Sequence, residues 1–79
     1  MANNKMLELR SIIYGEYKSE AELARYLNWF PQRLNLITNG IREPNIQEIN
    51  DLTKALEITV EELIDIFLRH KSPNGQLSK

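Results

Sequence analysis

The sequence predicts an all-α domain of five short helices, and three observations carry that expectation. No stretch shows sustained period-2 alternation of apolar and polar residues, so strands are not expected. Apolar residues instead recur at helical spacing in five segments. Three of those segments follow a capping pair, a Ser, Asn or Thr with a Glu three residues on.

The first segment holds Met6, Leu7, Leu9, Ile12 and Ile13 and meets a helix breaker near Gly15. The second opens at Ser19, whose hydroxyl can accept from the backbone N–H of Glu22 while the Glu22 carboxylate reaches back. Its apolar set is Ala21, Leu23, Ala24 and Leu27, and Asn28 stops it because asparagine tolerates left-handed backbone. The third runs from Pro31 to about Asn39. Proline suits a first helical position because the amide hydrogen it lacks would be unpaired there, and Gly40 ends the run. The fourth follows Pro44, with Asn45 as cap, Glu48 as its partner, and Ile46, Ile49, Leu52 and Leu56 as the expected buried stripe. Thr59 and Glu62 cap the fifth, which carries Val60, Leu63, Ile64, Ile66, Phe67 and Leu68. Residues 5–70 are thus expected to form the domain, between a flexible N-terminus at 1–4 and a flexible tail at 71–79 rich in turn residues.

A chain of 79 residues makes one domain at most, with a modest core, which favours a binding module over an enzyme with a deep cavity. Apolar residues are 42% and charged residues 27%, as in ordinary soluble proteins, so no unusual class is indicated. The absence of cysteine excludes a disulfide framework and a thiolate metal site. The single histidine, His70, has no carboxylates spaced to complete a zinc site and reads as a solvated residue near a helix end. No cofactor is expected. Neither a nucleophile–base pair nor a phosphate-cradling loop is visible, so an enzyme and a small-molecule substrate are not expected; Glu61, Glu62 and Asp65 read as a solvated helix face. No apolar run approaches the roughly 20 residues of a membrane span, and MANNK has no signal-peptide core, which points to a cytoplasmic protein. Net charge is −1 but uneven. Residues 1–42 carry six basic and four acidic groups, and residues 43–79 carry four basic and seven acidic ones. An acidic half turned from a polyanion costs little beyond the Debye length of about 8 Å.

The informative stretch lies around Asn28. Between Asn28 and Pro31 only a three- or four-residue turn fits, the length that crosses two helices steeply. Ala24 is the small residue such a crossing needs, and Leu23, Leu27, Trp29, Leu34 and Ile37 can close a shared core. The second helix of the pair would then protrude with its early residues and outer face exposed. Residues 7–68 resemble the lambda-repressor-like, Cro and repressor-type helix-turn-helix family. The likeness runs through SEAELARYLNWFPQRLNLITNG and REPNIQEINDLTKALEITVEEL, with Leu23-Ala24, Trp29, Leu34, Ile37, Asn39-Gly40, Pro44 and the Ala55 to Leu63 phrase in register.

The resemblance implies a double-stranded DNA-binding regulator, the helix-turn-helix lying at helices two and three, with base-reading positions at Pro31, Gln32, Arg33, Asn35 and Leu36. Gln32 suits a bidentate contact to adenine, Arg33 a guanine or phosphate, and Leu36 a thymine methyl. Asn39 and Arg42 match places that hold the DNA backbone, fixing register without reading sequence, and Lys18 reads as either a further phosphate contact or a surface residue for solubility. Two positions depart from the pattern: Glu20 stands where glutamine is frequent, and Phe30 where a Ser or Thr cap is usual. Trp29 and Phe30 read as packing residues, and Tyr14, Tyr17 and Tyr26 have no role beyond helix packing. On helix five the apolar residues span roughly 200°, wider than one core face of about 100°. The excess suggests a homodimer strip to which Ile66 or Leu68 contributes, with two reading helices about 34 Å apart on a palindromic site. The alternative is a protein-interaction module on the same fold, antitoxin-like or phage accessory in kind, using Trp29, Phe30, Leu36 and the acidic second half.

Overall fold

The computed structural model describes residues 6–71, and they form five helices with no strand among them. The helices are α1 (Leu7–Glu16), α2 (Glu20–Leu27), α3 (Pro31–Thr38), α4 (Ile46–Leu56) and α5 (Val60–Lys71). The expected terminal segments, Lys5 with them, and the side chain of Lys71 lie outside the described residues. No helix among the described residues is long and apolar enough to cross a membrane.

Local chemistry sets most boundaries. The Ser19 hydroxyl accepts from Glu22 N–H at 3.1 Å, but the Glu22 carboxylate takes the N–H of Lys18 at 2.9 Å, so this capping pair closes one residue early. At α4 the box is complete: Glu48 N–H donates to Asn45 Oδ1 at 2.8 Å and Asn45 N–H to Glu48 Oε1 at 2.9 Å. Thr59 and Glu62 form the same reciprocal pair ahead of α5. The helix α1 runs through Gly15 to Glu16, because that glycine keeps helical backbone and the chain turns extended only at Tyr17.

Three helices end alike. Asn28, Gly40 and Glu57 take left-handed backbone, with φ of 65°, 73° and 58°. The following N–H groups of Trp29, Ile41 and Ile58 reach back to the carbonyls of Ala24, Leu36 and Thr53 at 2.8, 2.9 and 3.2 Å. This is the Schellman closure, which satisfies carbonyls a helix end leaves orphaned.

The core gathers Met6, Leu9, Ile13, Leu23, Ala24, Trp29, Leu34, Ile37, Leu52, Leu56, Leu63 and Ile66. The helix α1 is central and packs on all four others, whereas α5 packs on α1 and α4 alone among the described residues. An eight-residue helix such as α3 is marginal by itself. Fully burying Leu34 and Ile37, at roughly 1.5–3 kcal/mol each, is what holds it against α1 and α2. Tyr17 helps lock α1 to α4 by donating from its hydroxyl to the Ala55 carbonyl at 3.0 Å, and burial pushes its phenol pKa up.

Three expectations about packing are corrected. Ile46 is 85% exposed, because at the first position of α4 it projects past the core; Glu48 is buried in that turn instead. Phe30 is 81% exposed, since only Trp29 of the two turn aromatics tucks inward. Ile66 is buried in the core against the α1 side, so it is not on an outer strip; the exposed apolar residues of α5 are Val60, Ile64 and Leu68.

Candidate functional site

The residues singled out by sequence converge on α3 and the loop after it. Asn28, Trp29 and Phe30 join α2 to α3 with no slack, and the left-handed Asn28 reverses the chain there. With Leu34 and Ile37 turned inward, the other side of α3 presents Pro31, Gln32, Asn35 and Leu36, all exposed. Phe30 precedes them with no side-chain cap on the helix, so its ring is free to face outward. Asn39 caps the C-terminal end of α3 and is half-buried. Lys18 is exposed just ahead of α2.

Arg33 and Arg42 both turn toward one acid, Glu48. Arg33 lies over the Trp29 ring, its guanidinium carbon 4.4 Å from the ring centroid, a cation–π arrangement. Its Nε donates to Glu48 Oε2 at 2.7 Å. Arg42 grips the same carboxylate with two bonds, Nη1 to Oε1 at 3.1 Å and Nη2 to Oε2 at 2.8 Å. Glu48 is 2% exposed, and the two arginine side chains are about half-buried around it. The bidentate Arg42 bond, with help from the Asn45 N–H and from Arg33, overcomes the effect of burial and holds the Glu48 carboxyl down at about 2. The same bond raises the pKa of Arg42. The backbones of α3 and α4 do not pack on each other, so this trio spans the space between them.

A second acid lies under the other end of α3. Glu20 accepts from the hydroxyl of buried Thr38 at 2.8 Å and pairs with Arg10 at 3.2 Å, tying α1, α2 and α3 together. Glu20 thus faces a cation and a hydroxyl of its own chain, its Oε2 meeting Arg10 as an ion pair without a hydrogen bond. Among the described residues the cations without an acidic partner are Lys18, Arg25 and Lys54.

The residue that sequence reading missed is Glu48. Its spacing from Asn45 marked it as a capping partner, and that reading accounts for its backbone bond while saying nothing of two arginines that precede it by 15 and 6 residues. A glutamate in the first turn of an amphipathic helix whose neighbours are arginine-rich is the one available hint. No group of three metal-binding side chains occurs among the described residues. Comparison with known proteins adds no relative: no family model, no curated sequence and no solved structure matches the chain significantly.

Proposed function

We propose that the chain is a sequence-reading double-stranded DNA-binding protein that sets α3 into the major groove and regulates transcription by occupying an operator. The observation that carries the reading is the two-sidedness of α3. Leu34 and Ile37 anchor one side with no exposure, while Gln32 and Asn35, the side chains able to make bidentate contacts to adenine, stand outward with Leu36 on the other. The short connection to α2 and the resemblance at Leu23-Ala24 and Asn39-Gly40 support the same motif. A second copy packing on Val60, Ile64 and Leu68 would supply the second reading helix for a palindromic site.

Selection from random duplex DNA tests the reading. A palindromic consensus with affinity falling steeply with salt is the expected outcome. Gln32→Ala should then cost about 1–3 kcal/mol at a single base position. No enriched sequence would overturn the proposal.

A specific observation favours a second reading. Phe30, Leu36 and Ile41, just before, on and just after α3, are exposed at 81%, 39% and 66%. Such exposed apolar residues fit a protein partner, and a chain that enriches no duplex would be assigned to that class.

A further inference from the structure

We propose that Glu48 is a positioning residue that withholds Arg33 and Arg42 from bound nucleic acid, so that sequence selection falls to Gln32, Asn35 and Leu36 rather than to an arginine. The inference rests on the reading of α3 as the helix that faces DNA.

The carboxylate accepts four N–H bonds: one from Arg33, two from Arg42 and one from the Asn45 backbone. A phosphate approaching Arg42 finds both Nη atoms bonded to the carboxylate, the nearer at 2.8 Å, and one approaching Arg33 finds its Nε taken at 2.7 Å and only the Nη groups open. Drawing an arginine away leaves a carboxylate only 2% exposed without that partner, the most costly way to break an ion pair. A phosphate contact at the surface is screened by mobile ions and returns less. Stacking on Trp29 holds Arg33 a second time. Helix capping alone does not explain the residue, because a capping box is served equally by glutamine at this position. The negative charge is needed by the arginines. Two guanidiniums and one carboxylate together present a single net positive charge, so the trio meets a polyanion as one cation.

The test compares Glu48→Gln with Glu61→Gln on immobilised heparin, a polyanion that needs no base recognition. Each variant gains one unit of charge, but Glu61 is exposed on α5, which does not pack on α3. Only the first variant frees the two arginines. It should elute at higher salt than the second, and on random duplex its log–log salt slope should be steeper by about 1. Equal elution overturns the proposal. If Glu48→Gln does not fold, the unaltered protein decides: the Nε–H proton resonance of Arg33 should stay unmoved as heparin oligosaccharide is titrated to saturation. A shift or loss of that signal overturns the clamp. Absence of a selected duplex refutes the DNA reading alone, because both heparin measurements still judge the clamp.

Discussion

At the scale of single residues, Glu48 ties stability to pH. Its carboxyl sits at about 2, below the usual 4.5, so the folded state binds its proton less readily than the unfolded chain does. The stabilisation is therefore complete above about pH 4.5 and disappears as pH falls toward 2. A shift of that size corresponds to roughly 3 kcal/mol. Denaturant titrations at pH 6 and pH 2.5 should show that much of the acid loss removed in Glu48→Ala, which is itself destabilised at neutral pH because two arginines lose their shared partner. An unchanged acid dependence in the variant would refute the assignment. Nothing in the spacing of the chain could reveal these bonds, since Arg33 and Glu48 lie 15 positions apart on helices whose backbones do not touch. Ser19, Asn28 and Asn45 were legible because their partners lie within a few residues, where spacing alone determines geometry.

At the scale of elements, the shared Schellman closure separates a good fit from a strained one. Asn28 and Gly40 are residue types suited to left-handed backbone, whereas Glu57 at φ 58° carries a Cβ that crowds the following carbonyl. Glu57→Gly should therefore raise stability by up to about 1 kcal/mol despite the added freedom of the unfolded chain. A lowered melting temperature would contradict this. The helices themselves were legible from periodicity, but the phase of each stripe was less so. In α4 and α5 the apolar residues outnumber what one face needs, and only packing decides that Leu63 and Ile66 go inward while Ile46, Ile64 and Leu68 stay out. The turn before α3 had the same ambiguity, with two adjacent aromatics and room for one.

At the scale of the whole molecule, Val60, Ile64 and Leu68 fall one turn apart along a single line of α5. A second copy packed there would make assembly depend on concentration. Sedimentation should show Ile64→Glu held as a monomer with its melting curve little changed, because the side chain lies outside the core. A dimer that persists in the variant would move the contact elsewhere. The opposite side of α5 meets α1, where Glu8 and Arg69 face each other at 2.6 Å across 61 positions of chain. Both side chains are more than half exposed, so the pair stabilises little. It does, however, mark that α1 and α5 come together side by side. A covalent cross-link placed between the positions of Glu8 and Arg69 would therefore staple α1 to α5 and close a long loop, stabilising the fold chiefly by restricting the unfolded chain.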